Sequence, residues 1–212
     1  MKHFITIILA LFITVSTADA QNKALDKALK KEYKTKMKEY KKEGWKIFGT
    51  SHSLEVALLS HYDKLNTLGE NGYEVVGICS RYKSDNVGHQ AAINNACNTY
   101  ARQAGSTLKG RVVSDMNGDA DNPEAEFDKF YAAYETLVEK EIKGELHESY
   151  SVYHNLSNGE KTMQTFFIVD ENAAMQARIR ALENAAKESE AAQRYAKKVS
   201  KFVREGFAPS KD

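Results

Sequence analysis

The chain has 212 residues, a formal net charge of +1 and 42% hydrophobic residues. That length and apolar content fit one domain with a real core and exclude general disorder. Balanced charge argues against nucleic acid as the main partner, and two cysteines exclude the disulfide-dense scaffold of small secreted domains.

The first twenty residues read as an export signal. Lys2 and His3 are basic, Phe4 to Val15 is an apolar run, and Ala18-Asp19-Ala20 is a small-x-small cleavage pattern. The run is too short to span a membrane, which takes about 20 apolar residues. Cleavage after Ala20 is expected, giving a periplasmic or secreted protein that begins at Gln21. No cysteine stands at the cut to accept a lipid.

Residues 21–44 predict a basic helix. Leu25, Leu29, Tyr33, Met37 and Tyr40 recur at helical spacing, and nine lysines stand against four acids. Trp45 to Gly49 is a short strand. Ser51 or Ser53 caps a helix with the stripe Leu54, Leu58, Tyr62, Leu65 and Leu68, and Gly69 to Gly72 ends it. Tyr73 to Tyr82 is a strand. An alanine-rich helix is predicted from Val87 to Ala104, closed by Gly105, followed by a strand from Thr107 to Ser114.

Asp115 to Asn122 reads as an acidic loop, and Pro123 opens a helix with Phe127, Phe130, Tyr131, Tyr134, Leu137 and Val138 on one face. A hairpin follows, turning at Asn158-Gly159. Its second strand is apolar on both faces, as a central strand should be. Glu171 to Glu205 predicts one helical stretch of about 52 Å, longer than a domain of this size, so it must bend, break or project. The expectation is a single α+β domain: residues 45–170 form a mixed or mainly antiparallel sheet of about five strands packed by helices. Residues 21–44 and 171–212 form long terminal helices.

Three constellations invite chemistry. Asp115, Asn117, Asp119 and Asp121 alternate, with Glu126 at the twelfth position, as oxygen ligands do in a calcium loop. Gly118 stands at the fourth position and Ala120 at the sixth, where that loop needs glycine. Calcium is therefore weighed against a plain acidic loop that ends in a helix cap. Cys79 and Cys97 are candidates for one disulfide, against two buried thiols. The histidines show no zinc spacing, and strand parity places His147 and His154 on opposite faces. No nucleophile elbow, phosphate loop or dinucleotide fingerprint is present.

The stretch AAINNACNTYARQAGSTLKGRVV, then an acidic helix and the strands IKGELHESYSVYH and MQTFFIVD, resembles the small bacterial envelope lipoproteins of the LPP-twenty type over residues 45–170. The whole chain also resembles uncharacterised secreted proteins of Gram-negative gut anaerobes. The resemblance implies an α+β envelope domain without catalysis and supplies no functional residues. This chain lacks the lipid-acceptor cysteine of that family.

The expected function is an exported, non-enzymatic envelope domain that binds a protein partner or assembles with itself. An envelope enzyme without a recognisable motif and a calcium-stabilised binding module are the alternatives. The terminal stripe Tyr195, Val199, Phe202, Val203 and Phe207 needs a covering surface. The candidates are Leu29, Tyr33 and Met37 of the first helix, or a second chain.

Overall fold

The structure, a computed structural model, describes residue 23 and residues 26–116 and 123–207. The leader and its cut at Ala18-Asp19-Ala20 lie outside the described residues. Among those described, no helix is long and apolar enough to cross a membrane.

The fold is α+β. Its sheet has four strands, each pair antiparallel, in the order β1-β3-β4-β2, with β1 at Lys46–Phe48, β2 at Gly72–Tyr82, β3 at His147–Asn155 and β4 at Lys161–Asp170. The hairpin turns at Asn158-Gly159 and β4 is central, as its two-sided apolar pattern requires. Helices α1 (26–43) and α2 (Leu54–Leu68) cover one face of the sheet. Ser53 caps α2, its side chain accepting from the Val56 N–H. Met37, Tyr40, Leu58 and Tyr62 meet Tyr150, Val152 and Phe166 in a core on this side.

The larger core lies on the other face. It is built by α3 (Asp85–Met116), α4 (Pro123–Ile142), α5 (Glu171–Ala185), α6 (Glu190–Arg194) and α7 (Ala196–Glu205). The fifth strand expected at Thr107–Ser114 is absent: these residues continue α3, which runs unbroken through Gly105 and Gly110 for 32 residues. Its apolar stripe is weak because small residues build much of it: Ala92, Ala96, Ala101, Ala104 and Gly105 are among its buried positions. Ala92 and Ala96 meet the sheet, while Leu108 and Val112 lie farther along in the same large core. Small residues give little contrast with the exposed face of Gln90, Asn94, Asn98, Arg102 and Ser106, the contrast by which a helix is recognised.

The long C-terminal helix expected over 171–205 breaks, one of the three outcomes its length allowed. The stretch breaks into α5, a short 3-10 turn at Ala186–Glu188, α6 and α7. The break falls where alanine is the only apolar residue, and Ser189 caps the restart, accepting from the Ala192 N–H at 3.2 Å. The chain then doubles back. Val199, Phe202 and Val203 are buried against α3 and α5, not against Leu29, Tyr33 and Met37, which belong to the opposite core.

Helix α3 sits unusually close to β2. A Cβ on Gly77 would lie 1.9 Å from the Ala92 carbonyl oxygen and 3.0 Å from Ala96 Cβ. The Ile78 N–H donates to Asn95 Oδ1 at 2.9 Å, so α3 also covers part of the open edge of β2. Backbone cannot yield as a flexible side chain does. Gly77→Ala is therefore expected to cost about 3 kcal/mol, read as a lower urea midpoint, whereas Gly110→Ala, with open space at its Cβ, should leave the midpoint unchanged or raised.

Candidate functional site

The bulge in β3 decides which side chains share a face. Glu148 pairs with Phe167 and Tyr150 with Phe166, so Ser149 is an extra residue in the ladder. The inserted residue reverses the alternation. His147 lies opposite Ile168 and joins the face of Tyr150 and Val152, while Glu148 joins Ser151 on the other. His147 and His154 therefore share a face, contrary to simple strand parity, though they sit at opposite ends of β3.

The bulge opens a groove of ≈ 480 Å³ between the last turns of α2 and the adjoining ends of β3 and β4. Lys64, Thr67 and Leu68 line it from α2, and His147, Glu148, Ser149, Ile168 and Asp170 from the strands. Both acids also hold partners outside the groove. Asp170 Oδ1 caps α5, accepting from the Asn172 N–H at 2.8 Å and the Ala173 N–H at 3.4 Å. Glu148 lies 2.9 Å from His89 Nε2 and accepts from Ser151 Oγ at 2.6 Å. Thr67 Oγ1 donates to the Asp63 carbonyl. Among the described residues, the polar groups of the lining without a hydrogen-bond partner are the Lys64 ammonium, the His147 imidazole, the Ser149 hydroxyl and Asp170 Oδ2, beside apolar Leu68 and Ile168.

Two polar clusters carry the residue types of a catalytic centre. In the first, Thr165, Ser151, Glu148 and His89 form a chain of contacts, with Ser151 and Thr165 fully buried. The carboxylate lies between the hydroxyl and the imidazole, so the histidine cannot take the serine proton as a nucleophilic triad requires. In the second, His61 is completely enclosed. Its ring meets Tyr62 and Tyr150 edge-on at 5.2 Å, and Nε2 lies 2.8 Å from Glu74 Oε2 without the alignment of a hydrogen bond. Burial drives the pKa values of Tyr40, Tyr62 and Tyr150 upward, holding the phenols neutral. The His61 cluster is internal to the packing, whereas the first runs from buried Ser151 and Thr165 out to the partly exposed Glu148 and His89.

A third cluster escaped the sequence reading. Arg178 on α5 is 1% exposed. It donates to Tyr100 Oη at 2.5 Å, to the Val203 carbonyl at 3.3 Å and to both carboxylate oxygens of Glu171. Burial alone would lower its pKa, but Glu171 and Tyr100 outweigh that and raise it. The available signal was an arginine set within the Ala174, Ala177, Ala181 and Ala185 stripe.

For the proposed calcium loop, Asn117, Asp119 and Asp121 lie outside the described residues. The backbone at Asp115 belongs to α3 and at Glu126 to α4, so a helix, not a strand, leads into the segment. Among the described residues no three His, Cys, Asp or Glu side chains gather as a metal site.

The disulfide between Cys79 and Cys97 is not formed; both are free thiols. Cys79 stands on β2, with Sγ 3.9 Å from the Arg81 carbonyl. Cys97 feels Lys143 and Glu139, which places it toward α4, and burial raises its pKa.

No protein-family model, curated protein or solved structure matches the chain.

The thiols give a direct check. Without reductant, unfolded protein should show two alkylatable thiols by intact mass. In the native state half-buried Cys79 should react first, while Cys97, at 2% exposure, waits for unfolding. A mass two hydrogens lower that resists alkylation would show a bridge instead.

Proposed function

We propose that the chain is an exported, non-enzymatic binding domain of the cell envelope, and that the groove between α2, β3 and β4 takes a small amphipathic anion. The export signal and the resemblance to LPP-twenty-type envelope proteins support the compartment. The groove supports the ligand class. Glu148 and Asp170 Oδ1 already hold partners, the basic groups Lys64 and His147 do not, and the apolar surface comes from Leu68 and Ile168.

A carboxylate placed there gains a charge-assisted hydrogen bond from Lys64, with donors on His147 and Ser149 within the same groove. Its apolar body covers Leu68 and Ile168 and removes that surface from water. Glu148 and Asp170 Oδ1 are already partnered, so a cationic ligand would have to compete with the His89, Ser151 and backbone contacts they make. Self-assembly through the C-terminal stripe is not part of this reading, because α7 already buries Val199, Phe202 and Val203 within its own chain.

Calorimetric titration of the mature protein with decanoate tests the reading. Binding should occur, and Lys64→Gln should weaken it about ten-fold, the loss of one charged hydrogen bond. Decylamine should not bind. Because Lys64 is exposed, the melting temperature of the variant should match that of the parent. Absence of heat with decanoate, or equal affinity in the variant, would remove the groove as an anion site.

A further inference from the structure

Helix α1 is two-sided in a more specific sense than its composition shows. Leu29, Tyr33, Met37 and Tyr40 face the core. Lys27, Lys31, Lys34, Lys38 and Lys41 are all exposed. At 3.6 residues per turn these five fall within an arc of about 80°, on an exposed flank whose centre lies about 125° from that of the core residues, along about 21 Å of helix. Glu32, Glu39 and Glu43 lie away from that arc, and Asp26 is paired with Lys30 at 2.7 Å. None of the five ammonium groups has a partner among the described residues.

We propose that this lysine stripe docks the protein on an anionic lipid surface. The stripe is a row of compact point charges on a convex helix, with no groove, aromatic platform or arginine fork. That suits a plane of phosphate headgroups rather than a nucleic-acid strand, whose recognition relies on stacking and forked donors. The apolar side of α1 is committed to the core, so the helix rests on the headgroups without inserting. Attraction comes from the stripe and not from the molecule as a whole, whose net charge is only +1. With a screening length of about 8 Å at physiological salt, charges on the far side of the domain contribute little. The proposal is independent of the groove.

Co-sedimentation of the mature protein with vesicles tests it. The protein should bind vesicles containing about one-third phosphatidylglycerol in phosphatidylcholine, bind pure phosphatidylcholine poorly, and be released at about 1 M salt. Each lysine is worth roughly a five-fold change in partitioning. Lys31→Gln, Lys34→Gln and Lys38→Gln together should therefore reduce partitioning about 100-fold. A control with Lys129→Gln, Lys140→Gln and Lys143→Gln, also exposed and equal in charge change, should stay within a few-fold of the parent. Thermal melts establish that both variants are folded, and salt release of the unaltered protein gives a readout that needs no variant. Failure to bind anionic vesicles, equal loss in both variants, or retention on a heparin column without vesicle binding would each overturn the proposal.

Discussion

A buried arginine holds the end of this chain in place. An isolated guanidinium in a protein core is too costly to persist, so Arg178 must find a carboxylate and further acceptors together. It finds them on three elements: Glu171 at the first residue of α5, the Tyr100 hydroxyl in the middle of α3, and the Val203 carbonyl in the last turn of α7. Phe207 then lies beneath the charge, its ring centre 5.5 Å from the guanidinium carbon. Gly206 makes the closure feasible. Its φ of 58° suits glycine, and a Cβ there would collide with the Glu171 and Arg178 side chains. Arg111 adds a second hold, donating to the Phe202 carbonyl at 2.8 Å and to Glu205 at 3.0 Å.

The same constraint settles how the surfaces are used. With α7 folded back, the aromatic residues that looked unpartnered in sequence are part of the larger core. Tyr100 stacks on Tyr73 with ring centres 6.5 Å apart, linking the arginine cluster to the sheet. On the opposite face, α1 and α2 are free to present what the core does not need. Helix α2 contributes one wall of the groove, and α1 turns its lysines outward. The two functional proposals thus fall on one side of the sheet, while the side closed by Arg178 is packing.

Much of the architecture was legible because local signals agreed. Ser53 before an amphipathic run, Pro123 after Asn122, and Asn158-Gly159 between alternating strands each fixed an element without tertiary help. The misreadings have physical causes. Residues 107–114 of α3 looked like a strand because Gly105 and Gly110 punctuate a helix whose apolar stripe is built largely of small residues. The C-terminal stretch had to bend, break or project by its length, but where it breaks was hidden because helical periodicity survives the 3-10 turn and Ser189. The groove was invisible for a different reason: it depends on one inserted residue, Ser149, whose effect on alternation shows only when Glu148 and Tyr150 find consecutive partners on β4. The Arg178 cluster could not be assembled from the sequence because neither Tyr100 nor Val203 is near Arg178 in the chain.

The most direct test of the central constraint is amide hydrogen exchange, followed by mass spectrometry, on the unaltered protein and on Arg178→Met. Methionine fills the site but leaves the Tyr100 hydroxyl, Glu171 and the Val203 carbonyl without their shared donor. If Arg178 fixes the C-terminal return, peptides covering 196–207 should lose protection by at least about ten-fold, the equivalent of one charged hydrogen bond. Peptides from β3 and β4 should keep theirs. Unchanged protection across 196–207 in a folded Arg178→Met protein would show that apolar packing alone holds α7, and that the buried charge is not the constraint on which the fold closes.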